Sequence, residues 1–208
     1  MLRSPPGRSK PVTLPGMRIT DRSIVEARFL ERPNRFIVRA EVAGVGRVRA
    51  FLANPGRLHE LLLPGVKLWL SDERGAPRRS NSITPPRKTR WTVQAVERDD
   101  RPICLNTHRT NDVAATLIDH GRVPAFAGAK VIDREVRVDS SRFDLLVDHA
   151  GREVLVEVKS VTLYGNGVAM FPDAVTRRGR RHLEELAELA DAGRPTAVLF
   201  IVHTPVAR

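Results

Sequence analysis

The chain has 208 residues, 41% of them apolar, which is enough to bury the core of one large domain or two small ones. No run approaches the roughly 20 consecutive apolar residues of a membrane helix, and the opening MLRSPPGRSKPVTLPG lacks a signal peptide's apolar segment, so a cytoplasmic protein without a membrane partner is expected. Cys104 is the single cysteine, which excludes an internal disulfide and a thiolate-built metal site, while 35 Lys and Arg against 24 Asp and Glu leave a formal charge of +11.

Residues 1–16 combine Pro, Gly, Arg and Lys without apolar periodicity and read as a flexible basic arm. Residues 17–100 read as a β domain. The runs IVEARFL, RFIVRAEV, RVRAFLA, VKLWLSD and WTVQAV carry strand signals, separated by Pro-Asn, Gly-x-Gly and Asn-Pro-Gly punctuation. RLHELLL at 57–63 predicts one short helix. Several short strands with one small helix fit an OB-like β-barrel. Trp69 and Trp91 alternate with apolar residues along these strands, which favours core packing over base stacking. The basic, Pro-rich stretch from Arg74 to Arg90 predicts a projecting loop, with Arg87, Lys88 and Arg90 as phosphate contacts or as solvated charges. Asn54-Pro55-Gly56-Arg57 is first a turn, and Arg57 a secondary phosphate contact.

From residue 101 to 208 the pattern changes. Cys104, in Ile103-Cys104-Leu105, reads as a buried small hydrophobe. TNDVAATLIDHG predicts a helix, VIDREVRV, SRFDLLV and VLVEVKSV three strands, DAVTRRGRRHLEELAELADAG a helix, and TAVLFIV a buried strand. In the second helix Leu183, Leu186, Ala187 and Ala190 share a face, Asp173 is placed to cap the start, and Gly193 with Pro195 closes the end. Arg177, Arg178, Arg181 and His182 fall in its first turns, as phosphate contacts or as a solvated basic face; His182 could also act in proton transfer, although a lone helical histidine is more often a satisfied side chain.

Hairpin register brings chemistry together. Pairing Phe143 with Val158, Leu145 with Val156 and Val147 with Val154 makes an apolar face closed by a four-residue loop, His149 to Arg152, and sets Asp144 opposite Glu157. Facing side chains in such a pair have Cβ atoms about 5 Å apart. Two carboxylates held together near apolar neighbours such as Leu146 and Leu155 must take up a proton or find a cation. Lys159, two residues beyond Glu157, shares its face and can orient a water or stabilise developing negative charge. Oxygen ligands from Asp144 and Glu157, with the Val158 carbonyl as a third, suit Mg²⁺ or Mn²⁺ rather than zinc. Metal-assisted phosphodiester hydrolysis fits this set. The bland alternative is three surface residues of an amphipathic hairpin, one ion pair and one spare acid.

An Asp followed 13 residues later by Glu-x-Lys on the next strand resembles the PD-(D/E)xK nuclease superfamily. RPNRF at 32–36, GRLHELLLPG at 56–65, SRFDLLV at 141–147, VEVKSVTL and FPDAVTRRGRRHLEEL resemble, more specifically, the sugar fermentation stimulation protein A (SfsA) family, from about Ile19 to Val202. This implies α/β and β architecture, with an N-terminal OB-like β-barrel followed by a restriction-endonuclease-like α/β domain of helix, three strands, helix, strand. It also implies DNA binding and a link to sugar utilisation. By position, Asp144, Glu157 and Lys159 would be the motif residues, and Glu135 a further acid near the metal or a solvated charge. Two departures stand out: Phe51 and Pro55 replace the family's histidine and threonine, and the sequence ends at HTPVAR where relatives continue with another helical segment. A missing edge or dimer contact is compatible with that end, and a homodimer stays open as a partner. Two functions follow. One is a DNA-binding protein with a Mg²⁺-dependent nuclease-type site; the other is a non-cleaving DNA-binding regulator of sugar (maltose) catabolic genes.

Overall fold

The computed structural model describes residues 22–74, 89–172 and 177–203, with the backbone of Thr13–Leu14 and Met17–Arg18. Two compact units divide the chain, Met1–Thr107 and His108–Arg208. Alternation builds the first. In the run IVRAEV, Val38, Ala40 and Val42 are buried while Arg39 and Glu41 face out, the period-2 signature of a half-buried strand. The strands are β1 (Thr13–Leu14), β2 (Met17–Arg18), β3 (Ile24–Asn34), β4 (Ile37–Val42), β5 (Gly46–Phe51), β6 (Lys67–Asp72), β7 (Trp91–Arg98) and β8 (Arg101–Cys104). The order β5-β4-β3-β6-β7 is closed by a β5–β7 pairing, and β8 hangs on the outer edge of β7, so the unit is an OB-like five-stranded barrel.

Four expectations change. Thr13–Leu14, placed in the basic arm, pairs with Met17–Arg18 as a short ladder; residues 1–12 lie outside the described residues, as does the expected loop over 75–88. The helix over 57–63 is a single turn, because Leu58 sits at φ 56 and cannot extend a right-handed helix; the Leu62 N–H closes that turn on the Leu58 carbonyl. The boundary expected after residue 100 moves to Thr107, because RPIC, short and Pro-containing, pairs with β7. Cys104 is half-buried rather than buried.

Arg32 explains why RPNRF and the Asn54–Arg57 turn belong together. Its guanidinium donates to the carbonyls of Gly56 (2.8 Å), Arg57 (2.6 Å), Arg35 (2.8 Å) and Asn54 (3.0 Å). A fork of fixed N–H groups thus satisfies a turn that strand pairing leaves open. Asp72 does a similar service at the end of β6, accepting from Arg90 Nη2 (2.8 Å) and Arg74 Nη2 (2.9 Å). Hydrogen bonds from Arg90, and then from Arg74, hold its carboxyl well below the usual carboxylate range against the opposing effect of burial. A depressed folded value means the contribution is present above the unfolded value of about 4 and is lost as pH falls below it. Asp72→Asn is expected to lose about 2 kcal/mol at neutral pH, and in urea melts the difference should begin to narrow only below about pH 4, with most of it still present at about pH 3 because the folded carboxyl stays ionised there.

The second unit contains α1 (Thr110–Asp119), β9 (Lys130–Val138), β10 (Ser141–His149), β11 (Arg152–Val161), β12 (Leu163–Gly165), β13 (Val168–Met170), α2 (Arg177–Asp191) and β14 (Thr196–Val202). A mixed sheet runs β14-β11-β10-β9, with only β14 parallel to its neighbour, so the chain must cross over between β11 and β14; α2 lies in that crossover. Ala114, Ala115 and Ile118 of α1 pack with Leu145, Val147, Val156 and Val158. Leu186 of α2 packs with Phe143 and Leu155 in a separate cluster. The helix, three-strand, helix, strand order is therefore present, with a further hairpin, β12–β13, that was not expected. Its signal was in the sequence: Asn166-Gly167, both at positive φ (51 and 75), is a two-residue hairpin turn.

The expected hairpin register holds as far as Leu145↔Val156, where the ladder ends, short of the expected Phe143–Val158 pair and of Asp144 opposite Glu157. Leu145↔Val156 and Val147↔Val154 pair as expected. The loop is shorter, because His149 pairs with Arg152 and leaves only Ala150 and Gly151 at φ 53 and 77. Phe143 does not join Leu145 and Val147; it packs towards α2 with Val136, its partner on β9, beyond the point where Glu135 at φ 56 interrupts the pleat. Leu155 is buried as expected, Leu146 only partly. On α2 the inward stripe is His182, Leu186 and Leu189, with Leu183 partly buried and Ala187 and Ala190 exposed. β14, expected buried, is an edge strand among the described residues, with Phe200 48% exposed and edge-to-face with Phe171 at 5.2 Å.

Candidate functional site

Asp144 stands where the β10–β11 ladder ends. The last regular pair is Leu145↔Val156, and one step on the Asp144 carboxylate takes over the strand's role, with Oδ2 accepting the Val158 N–H at 2.7 Å. Its Oδ1 accepts from Asn111 Nδ2 at 2.7 Å, from the first turn of α1. Burial raises the Asp144 pKa most, then the charge of Glu157, with Glu135 adding a smaller push; the two hydrogen bonds oppose the shift.

Glu157 is 4% exposed. Its Oε1 accepts from Lys159 Nζ at 2.6 Å and lies 3.1 Å from His182 Nδ1. Its Oε2 is buried without a hydrogen-bond partner. An orphaned buried carboxylate oxygen is costly unless something not yet present meets it. Together with Glu135, Arg142, Asp144, Val158, Lys159, Gly179 and His182, Glu157 lines a cavity of about 310 Å³.

Two carboxylates, one with a buried oxygen that has no hydrogen-bond partner, suit a hard cation that retains part of its water shell. Among the described residues, no group of three or more His, Cys, Asp or Glu side chains could hold an ion by itself. Glu135 lines the same cavity but its carboxylate is tied to Arg142 Nε at 2.8 Å.

Residues 108–208 match the Sugar fermentation stimulation protein RE domain, and residues 30–105 match the SfsA N-terminal OB domain. The chain is 41% identical over 180 residues to a sugar fermentation stimulation protein homolog of Methanothermobacter thermautotrophicus, covering 86% of this chain and 71% of the relative. The chain belongs to the SfsA family. It is likewise 42% identical to the Moorella thermoacetica homolog, over 87% of this chain and 75% of that one. The solved structure of Pyrococcus furiosus SfsA in complex with Ca²⁺ superposes with a TM-score of 0.76 at 29% identity, covering 88% of this chain and 74% of that one. No helix among the described residues is long and apolar enough to cross a membrane.

The structure brings Asp144, Glu157, Lys159 and Glu135 into one cavity, together with His182. His182, read from sequence as a phosphate contact, a proton-transfer group or a satisfied helical histidine, is 6% exposed and sits inside against Glu157 and the Phe143 ring, as the last of these describes. Arg177 and Arg181 are exposed on α2, Arg181 beside Glu185. Arg57 is exposed on the first unit. Arg90 is committed to Asp72 and stacks over Trp91 at 4.4 Å, which ties it into the barrel. Arg87, Lys88, Asp173 and the Arg178 side chain lie outside the described residues. Two residues of the site were missed. Arg142 carried a signal, since SRFD puts it two positions before Asp144 on one strand face; Asn111 carried none, because its contact spans 33 residues of chain.

Proposed function

We propose that this protein binds DNA and that its C-terminal unit hydrolyses phosphodiesters with Mg²⁺ or Mn²⁺ held by Asp144 and Glu157, the site chemistry of the PD-(D/E)xK superfamily. The observation that carries this is Glu157 Oε2, buried, unpartnered and beside a second carboxylate whose pKa is pushed up by burial and by Glu157 itself. The Ca²⁺ complex of Pyrococcus furiosus SfsA supports a divalent-cation site in this family. When bound, the ion would polarise a phosphoryl oxygen and lower the pKa of a water. The chain's own residues do the rest. Asn111 and the Val158 N–H fix the Asp144 carboxylate, and Lys159 stands next to Glu157 where its ammonium can offset charge developing on the phosphate. His182 holds Glu157 from the side of α2.

The +11 charge and the lack of any base-reading motif favour binding through phosphates, with affinity falling steeply as salt rises. One observation favours a second function, a non-cleaving DNA-binding regulator of sugar catabolic genes: Lys159 and His182 both occupy Glu157 Oε1, and no third acidic ligand is free among the described residues. Incubation with duplex, single-stranded and branched DNA, in Mg²⁺, Mn²⁺ or chelator, separates the two. Scission that needs the ion and is lost in Glu157→Gln supports the nuclease; binding without scission on every substrate leaves the regulator.

A further inference from the structure

The ion pair at the cavity joins Arg142, which the motif chemistry leaves unused, to Glu135, the further acid expected near the metal. Arg142 and Glu135 both line the cavity, meet at 2.8 Å and are each 52% exposed in their side chains. Arg142 alternates with Asp144 along β10. Glu135 lies across from Asp144, since Phe143↔Val136 and Leu145↔Arg134 bracket it in register. Glu135 also holds a left-handed φ of 56, an unfavourable conformation for a side chain with a Cβ and one that clusters at functional sites. Its charge reaches Asp144. Glu157, which lines the same cavity, keeps a buried Oε2 without a hydrogen-bond partner, a separate observation that favours a cation at this site.

We propose that Arg142 binds the substrate phosphate and that Glu135 competes for it, so that capture of a DNA phosphodiester releases Glu135 as a third carboxylate for the divalent ion. This rests on the metal-site reading of Asp144 and Glu157. A guanidinium offers a planar fork of donors that fits phosphate as well as carboxylate. An exposed ion pair contributes little to stability, so exchanging one anion for the other costs little free energy. With the pair closed, Glu135 is held from the ion and Arg142 from the phosphate. Exchange serves both, and the two ligands then bind with positive coupling.

Two double-mutant cycles on the full chain test this, each read by binding rather than turnover. In chelator, fluorescence anisotropy with a short duplex should show Arg142→Gln weakening binding about threefold to tenfold and lowering the salt slope by about one. Glu135→Gln should tighten binding about threefold where Arg142 is intact and leave it unchanged in the Arg142→Gln background. Calorimetry with Mn²⁺ alone should show Arg142→Gln binding the ion about threefold tighter, a gain that disappears when Glu135→Gln is added. Gains of equal size in both backgrounds would mean simple charge effects and overturn the competition. DNA binding indifferent to Arg142→Gln would remove the phosphate role. Wild type that binds no Mn²⁺ would overturn the metal site itself, and the DNA cycle would then decide Arg142 by itself.

Discussion

Lys159→Met is expected to slow ion-dependent DNA scission by about a hundredfold to a thousandfold, the range for loss of one preorganised donor aimed at developing charge. It should also lower stability in chelator by about 3 kcal/mol, because Glu157 would stay buried with its principal cation gone. The side chains are 13% and 5% exposed and 2.6 Å apart, so solvent screens this pair little. Methionine keeps much of the apolar stem, which separates loss of charge from loss of packing. The two effects have different ion dependence. Bound Mg²⁺ would supply the missing positive charge to Glu157, so the ion should stabilise the variant more than the wild type in urea melts, while leaving scission impaired. A variant that melts lower but cuts at the wild-type rate would assign Lys159 to folding alone.

Much of this site was legible because strand pairing has a period of two. Once Leu145 opposed Val156, Asp144 and Glu157 had to be neighbours, and Lys159 had to share the Glu157 face. That inference used only local chain geometry. What it could not reach were contacts set by packing between elements. The rotation of α2 is one: sequence placed Ala187 and Ala190 inward on apolarity, yet the helix turns His182 to the sheet because a buried carboxylate there offers it a partner. Asn111 is another, for nothing in RTNDV marks an asparagine that reaches Asp144 from a separate helix. In the barrel, alternation located the strands, while the left-handed Leu58 abolished a helix that RLHELLL predicts. Arg32 shows the same limit, since its four carbonyl partners are gathered by the fold from residues up to 25 positions away.

Asp144→Asn is expected to melt at or above the wild-type temperature in chelator at neutral pH, and to lose the stabilisation that Mg²⁺ gives the wild type. The first half follows from proton linkage. Burial, then the Glu157 charge, raises the Asp144 pKa above its ordinary value of 3.8, so the folded chain holds this proton more tightly than the unfolded chain. Stability from this residue is therefore fully present below about pH 4 and declines as pH rises through the raised folded value. Asparagine removes that decline and can keep both contacts, its oxygen accepting the Val158 N–H and its amide meeting an Asn111 side chain turned to present oxygen. The second half follows from ligand linkage. An ion bound only to the folded state at a hundred times its Kd adds about 2.7 kcal/mol, a shift of several degrees. A neutral amide at this position would leave Glu157 as the one anionic ligand, and the ion would be held weakly. If Asp144 and Glu157 were ordinary solvated acids, the substitution and millimolar Mg²⁺ would each leave the melting curve in place. Melting wild type and variant in chelator and in Mg²⁺, at about pH 4 and at about pH 7.5, tests both halves. The variant's advantage in chelator should appear only at the higher pH, and an advantage of equal size at both would trace it to packing rather than to the charge on Asp144.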